Sequence, residues 1–338
     1  MLILGRSDVE HVLAGREHEV IEAVRRAYVA HALGRTVVPH SLFLRFPDDD
    51  RNRIIALPAH LDGERAVAGI KWISSFPGNT ELGIERASAA IILNSLETGH
   101  PEALLEASVI SARRTAASAA LTAKVLAAGE TERGVALVGC GTINLEILRF
   151  LRTSFPELAA ATLFDLDPAR AEAFAERVRA TLPEVEVELA ADLEHALSAH
   201  TLISFATTSG SPHTGLDACT DGALVLHVSL RDLTVEAILA AVNVLDDVDH
   251  ACRERTSLHL AEQAVGHRRF VHATIGDVLA AGGAWRRDLE RVTVFSPFGL
   301  GALDLAVAEL VRRRAEEDGL GIRVGDFLTH EPAPVPAR

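Results

Sequence analysis

Lysine is scarce in this 338-residue chain: Lys71 and Lys124 are the only two among 33 basic residues, the rest being arginine. A lysine kept against such a drift is a candidate for chemistry that arginine cannot perform, because an ammonium can give up its proton and a guanidinium cannot. Lys71 sits in the apolar stretch Gly69-Ile-Lys-Trp-Ile-Ser74, where an ammonium loses hydration unless it meets an anion or sheds its proton. Two readings fit it: a snorkelling strand lysine with its charge at the surface, or a group that contacts a substrate carboxylate or exchanges a proton. In Ser111-Ala-Arg-Arg-Thr-Ala-Ala117, Arg114 lies near a helix start, against the helix dipole. It calls for an anionic partner, either a ligand or a carboxylate such as Glu106. The segment Val225-Leu-His-Val-Ser-Leu-Arg-Asp232 ends a strand, so Asp232 is either a candidate base or the N-cap of a helix near Thr234. Ser296-Pro-Phe-Gly-Leu-Gly301 reads as a glycine-bearing turn before the last helix.

The sharpest local pattern is Val135-Ala-Leu-Val-Gly139-Cys-Gly141-Thr-Ile-Asn144, followed by Asp165 at the end of the next strand. Gly139 permits the tight turn, and Gly141 lets backbone approach a pyrophosphate at a helix N-terminus. Asp165 is placed to accept hydrogen bonds from the adenosine ribose hydroxyls, and its charge favours NAD over NADP. Asn144 replaces the third glycine, an exchange expected to loosen helix–strand packing.

Composition sets the frame. The length suggests two domains. A net charge of −14 argues against a nucleic-acid or anionic-membrane partner. Three scattered cysteines, Cys140, Cys219 and Cys252, form no C-x-x-C pair, which fits a reducing compartment. The N-terminus turns polar after four residues and no run approaches a membrane span, so the expectation is a cytoplasmic protein. The remaining histidines show no metal spacing, and no metal is expected.

The elements that must position these residues fall into two patterns. An amphipathic helix over 16–33 precedes short β-branched runs at 37–46, 53–61, 66–76, 87–93 and 103–109, with no helix between them. That order predicts an antiparallel or mixed sheet. A helix over 111–128, capped by Ser111 and closed by Gly129, follows. From Gly134 the chain alternates strands (134–139, 161–164, 185–189, 201–206, 223–228, 243–246) with helices, which predicts a parallel sheet with right-handed crossovers. The last helix, 303–317, returns to the first unit, and the proline-rich tail from Glu331 is expected to be disordered.

Taken in order, Gly69-Ile-Lys71, Arg114-Thr-Ala-Ala, Gly139-Cys-Gly141 with Asp165, the strand ending in Asp232, and Pro297-Phe-Gly299 with Asp304 resemble the ornithine cyclodeaminase/mu-crystallin family over nearly the whole chain. Gly69-Ile-Lys-Trp-Ile, Glu85-Arg-Ala-Ser and Ala90-Ile-Ile-Leu-Asn94 are most similar to its branch making 2,3-diaminopropionate for siderophores and peptide antibiotics. The resemblance implies an α/β fold: a substrate-binding and dimerisation domain of α+β type (1–128 and 302–338) plus a Rossmann NAD-binding domain (129–301), assembled as a homodimer. It implies NAD-dependent oxidation of N-(1-amino-1-carboxy-2-ethyl)-glutamate to 2-oxoglutarate and 2,3-diaminopropionate. Lys71 and Arg114 would hold the substrate carboxylate and Asp232 would accept the proton. Ser88, Arg114, Thr115, Gly139, Gly141, Thr142, Ile143, Asp165, Thr207, Val228, Ser229, Pro297 and Phe298 would line the dinucleotide, with Phe298 also facing substrate. A substrate with three carboxylates needs further cations, for which Arg53 and Arg86 are the candidates. Val235 and Ile55 stand where cyclodeaminases carry lysine and glutamate, which points away from cyclisation. An amino-acid or imine dehydrogenase on ornithine, alanine or a cyclic imine, and a non-catalytic binding protein like the crystallin relatives, are the other readings.

Overall fold

Lys71 lies in one sheet and Asp232 follows a strand of another in the computed structural model, which describes residues 1–328. The first part of the chain runs β1 (Leu2–Leu4), α1 (Arg6–Leu13), α2 (Glu17–Ala32), β2 (Thr36–Val37), β3 (Leu42–Phe46), β4 (Asp49–Leu61), β5 (Val67–Ser75), β6 (Ala87–Asn94), β7 (Pro101–Glu106) and α3 (Ser108–Leu126). Then follow β8 (Gly134–Val138), α4 (Thr142–Ser154), β9 (Ala160–Phe164), α5 (Pro168–Thr181), β10 (Glu186–Leu189), α6 (Leu193–Ala199), β11 (Leu202–Phe205), β12 (Leu224–His227), α7 (Val235–Ala240) and β13 (Val242–Leu245). The chain closes with α8 (Val248–Ala251), α9 (Ser257–Val265), β14 (Val271–Thr274), α10 (Ile275–Ala280), β15 (Thr293–Ser296), α11 (Gly301–Glu317) and β16 (Ile322–Arg323). The tail from Glu331 lies outside the described residues.

The first sheet has the order β16-β1-β7-β6-β5-β4-β2, with β3 beside β4. It is mixed, as the sequence predicts: β1 and β7 are parallel and β4, β5, β6 and β7 are antiparallel. The second sheet, β10-β9-β8-β11-β12-β15-β13-β14, has every strand pair parallel. Its strands β8, β11, β12, β13 and β15 are buried throughout, as parallel strands covered on both faces must be. The fold is therefore α/β, a Rossmann-type sheet joined to a mixed sheet. β15, in the middle of the second sheet, escapes the sequence reading, which took its last residue as the start of a turn.

Two helices join the halves. α3 is buried nearly all round because its small residues Ala116, Ala117, Ala119, Ala120 and Ala123 let α4 approach closely. α11 returns from the second sheet and packs on β4 and β5, burying Leu303, Leu305, Val307 and Asp304. Among the described residues no helix is long and apolar enough to cross a membrane.

Two local expectations are corrected. α3 starts at Ser108, and its cap comes from the Glu106 carboxylate, which accepts from the backbone N–H groups of Ser108 and Val109. Ser111 is already in the second turn, so Ser111 is no cap. Asn144 does not loosen its helix. It is fully buried, donates from Nδ2 to the Val138 and Gly139 carbonyls (3.0 and 2.8 Å) and accepts from Ser204 Oγ (2.8 Å). An amide thus stitches α4 to β8 and β11 where glycine would only allow contact.

Candidate active site

Pleating puts alternate residues of β5 on opposite faces. Lys71 points inward, opposite Leu57 and Ile91, with 2% of its surface exposed. Its Nζ donates to Asp304 Oδ2 at 2.7 Å and to Ser111 Oγ at 3.3 Å. Arg114 Nε donates to the other oxygen of Asp304 at 2.9 Å. The snorkelling reading of Lys71 is therefore wrong, and so is Glu106 as the partner of Arg114. Asp304 is the missing member of this triad: it sits in the first turn of α11, and an aspartate inside the apolar run Gly301-Ala-Leu-Asp-Leu is the signal the residue-by-residue reading passed over. Two cations against one carboxylate leave a buried excess of positive charge. Burial, partly offset by Asp304 and reinforced by Arg114, pushes the Lys71 ammonium down to about 8. An ammonium so placed is stabilised by an incoming carboxylate.

The second cluster lies along the C-terminal ends of the parallel strands, where ligands of open α/β sheets bind. The strand order reverses between β8 and β11, and Gly139 stands at that crevice. Its φ is +94°, and a Cβ there would lie 2.6 Å from the Ala206 carbonyl oxygen, so only glycine fits. Gly141 begins α4 with open space beside it and no side-chain cap on the first turn. Those free helix amides and the vacant glycine surface fit a pyrophosphate. Thr142 is exposed and Ile143 half-buried at the same turn. Asp165, at the end of β9, braces the turn by accepting from the Cys140 amide at 2.8 Å, and Arg170 stands 3.9 Å away. Burial, helped by Asp165, pushes the Cys140 thiol up to about 12, so it stays a neutral packing residue.

Asp232 is fully buried past the end of β12. Thr234, not Asp232, caps α7, which leaves the Asp232 carboxylate free of that duty. Thr207 Oγ1 donates to its Oδ1 and Ser229 Oγ to its Oδ2, while His227 Nε2 lies 3.3 Å from Oδ2. Burial alone would raise its pKa; His227, Ser229 and Thr207 outweigh that and hold it at about 2. The group is ionised at neutral pH, the form that can accept a proton. His227, fully buried, also meets Ser296 Oγ through Nδ1 at 3.1 Å.

No hydrogen bond or ion pair among the described residues joins Lys71 to Asp232. They are linked through β15. Its exit turn holds Pro297 and Phe298, and the Phe298 and Gly299 amides donate to buried Asp246 at 2.9 and 2.6 Å. Gly299 has φ +94°, and a Cβ on it would come within 2.8 Å of Arg114 Nη1. The Arg114 guanidinium therefore rests on the turn that leaves Ser296, and Ser296 touches His227. One run of contacts carries the triad to the carboxylate.

Other expected residues are dispersed. Val228 is half-buried beside Ser229. Thr115 bonds back to the Ser111 carbonyl of its own helix at 2.7 Å. Ser88 pairs with Ser74 on the sheet face opposite to Lys71, so within this chain it does not reach the crevice. Arg53 does share the Lys71 face, opposite Ser75 and Arg45, and Arg86 lies within electrostatic range of Arg53 and Arg170. Neither guanidinium has a hydrogen-bonded partner among the described residues.

Comparison with known proteins places the chain in a family and a fold. The sequence model described as the ornithine cyclodeaminase/mu-crystallin family matches residues 2–319. N-((2S)-2-amino-2-carboxyethyl)-L-glutamate dehydrogenase of Staphylococcus aureus is 29% identical over 327 residues, covering 95% of this chain and 97% of that protein. Among solved structures, Thermococcus litoralis Δ(1)-pyrroline-2-carboxylate reductase with NADH and L-proline has a TM-score of 0.89 at 26% identity, covering 96% of this chain and all of that one. An archaeal alanine dehydrogenase dimer with bound NAD has a TM-score of 0.86 at 29% identity, covering 97% and 99%.

Proposed function

This chain belongs to the ornithine cyclodeaminase/mu-crystallin family and is an NAD-dependent dehydrogenase of that family, and from this premise we propose that its substrate is N-(1-amino-1-carboxy-2-ethyl)-glutamate. The observation that carries the reading is the distribution of cations: a buried pair at Lys71 and Arg114 with one counter-ion, Asp304, and further arginines, Arg53 on the same sheet face as Lys71 and Arg86 within electrostatic range of Arg53. A small monocarboxylate such as alanine would leave the outer arginines without work. The similarity to the Staphylococcus aureus dehydrogenase supports the same substrate.

Gly139, Gly141, Thr142, Ile143, Asp165 and Thr207 would hold NAD, which when bound would supply the acceptor for a hydride from the glutamate Cα. Lys71 and Arg114 neutralise the carboxylate on that carbon and fix its orientation, and Phe298 and Pro297 close the crevice against water. The secondary amine gives up its N–H proton and the C–N bond becomes an imine. Water then adds to the imine carbon, the nitrogen takes a proton, and the C–N bond breaks. The balance is substrate, NAD and water giving 2-oxoglutarate, 2,3-diaminopropionate, NADH and one proton. Asp232 holds the attacking water and takes its proton, with Thr207 and Ser229 turning their hydroxyls to follow the carboxylate. Proton transfer by a placed carboxylate contributes typically about 10²–10⁴ in rate.

A homodimer belongs to the same reading. The outer face of β3–β6 presents Leu42, Leu44, Trp72 and Ile92, exposed by 64, 42, 44 and 37%, over Ala56, Pro58 and Ile70 of the same rows. A contiguous apolar patch of this kind marks an interface, and a second copy is its natural occupant.

The test is NADH formation with the purified protein. Turnover with the glutamate adduct, and none with ornithine, alanine or proline, is expected. Turnover with alanine or ornithine in preference to the adduct would replace this substrate by another of the family.

A further inference from the structure

We propose that Arg231, together with Arg53, is the specificity-determining clamp for a second carboxylate of the substrate, the one remote from the reacting carbon; this rests on the multicarboxylate reading above. Arg231 immediately precedes Asp232 and reaches the crevice from the parallel sheet, whereas Arg53 reaches it from the mixed sheet. The two lie within electrostatic range of each other.

The backbone around Arg231 is held in an unusual way. Leu230 has φ +68°, and Glu254 and Arg255 have φ +53° and +56°, a left-handed conformation that non-glycine residues rarely adopt. Such residues persist where the surroundings over-determine them, and they gather at functional sites. Here the surroundings are specific. The Leu230 carbonyl accepts from the Ser257 amide at 2.8 Å, Arg231 Nη2 donates to the Glu254 carbonyl at 2.8 Å, and the Glu254 carboxylate takes Arg45 Nη2 at 2.8 Å. Arg45 is the cross-strand neighbour of Arg53. Glu254 thus satisfies Arg45 with its side chain and orients Arg231 with its backbone. Among the described residues the Arg53 guanidinium has no hydrogen-bonded partner, and Arg231 has only the Glu254 carbonyl.

Charge makes the case sharper. Arg45, Arg53, Arg86 and Arg231 converge with Glu254 and Asp232 as the carboxylates among them, in a chain of net charge −14. Burial, with Arg53 and Arg45 beside it, pushes the Arg231 guanidinium below its ordinary value. Like charges held together in a half-buried place are relieved by an anion, and guanidinium groups present the paired donors a carboxylate accepts.

The test uses the dimeric or monomeric protein as purified, loaded with NADH, and titrated with 2-oxoglutarate or pyruvate while the bound NADH fluorescence is followed. Wild type is expected to bind the dicarboxylate at least tenfold more tightly than the monocarboxylate. Arg231→Gln and Arg53→Gln should each weaken 2-oxoglutarate at least tenfold, leaving pyruvate and NADH within about twofold, and Arg231→Lys should recover part of the loss. Equal weakening of both keto acids in Arg231→Gln, or none, overturns the clamp. Adduct turnover by wild type with an unchanged KM in Arg231→Gln also overturns it while sparing the proposed substrate. A wild type that neither prefers 2-oxoglutarate nor turns over the adduct overturns both.

Discussion

Lys71 keeps its proton in a place that favours the neutral form, and its chemistry follows from that tension. With its ammonium pushed down to about 8 by burial, carboxylate affinity of the NADH-loaded protein should fall as pH rises through about 8, measured by titration with 2-oxoglutarate; an affinity flat to pH 10 would remove Lys71 from the anchor. The same depression affects folding. Between about 8 and 10.5 the unfolded chain holds this proton and the folded chain does not, so this group makes stability rise with pH across that window. Asp304 is the counter-ion of two buried cations. Asp304→Asn should therefore cost about 3–5 kcal/mol of stability by urea unfolding, as removal of one member of a buried pair does. Asp232→Asn should leave NAD affinity intact and lower turnover by about 10²–10⁴, and near-normal turnover would exclude Asp232 as the base. Lys71 and Arg114 stand out in the sequence because each is a charged residue in an apolar or dipole-opposed setting, and Asp232 because it follows a strand end. Asp304 entered only through the family resemblance, and the Thr207, Ser229 and His227 contacts to Asp232 were hidden because hydroxyl and imidazole partners are set by strand packing rather than by spacing.

At the scale of elements, the glycine turn works because α4 is tied down at its start. Asn144→Ala removes the donors to Val138 and Gly139 and leaves the Ser204 hydroxyl unpaired in a dry interior. The expected result is a loss of about 1–3 kcal/mol in urea unfolding, accompanied by weaker NAD binding as the turn loosens. Unchanged stability would contradict the stitching role and favour the loosening that sequence alone suggests. The helix–strand alternation from 134 to 246 was legible because buried parallel strands are short continuous apolar runs bounded by turns. β14 and β15 were not, although Val292-Thr-Val-Phe-Ser296 is such a run. They are four residues each, and the loops before them carry no regular period. β15 nevertheless inserts between β12 and β13 and brings Ser296 to His227, so a four-residue strand placed the most consequential contact.

For the molecule as a whole, the chain end returns to the chain start: α11 carries Asp304 from the far side of the parallel sheet onto Lys71 and Arg114. Catalytic geometry is therefore inseparable from the docking of the two sheets. His31 of α2 helps hold that docking through Asp247 at 3.0 Å; Asp247, raised by burial but more strongly lowered by His31 and the His250 amide, sits at about 2. On the opposite side, the apolar outer face calls for a second copy. Trp72→Asp should shift the protein from dimer to monomer by light scattering, and a dimer that survives it would move the interface elsewhere.

The central claim is that this active site oxidises and cleaves a glutamate adduct rather than a simple amino acid. Mass spectrometry of the protein incubated with NAD and N-(1-amino-1-carboxy-2-ethyl)-glutamate tests it most directly. Equal amounts of 2-oxoglutarate, 2,3-diaminopropionate and NADH are the predicted result, and recovery of the intact adduct while another amino acid is oxidised would contradict it.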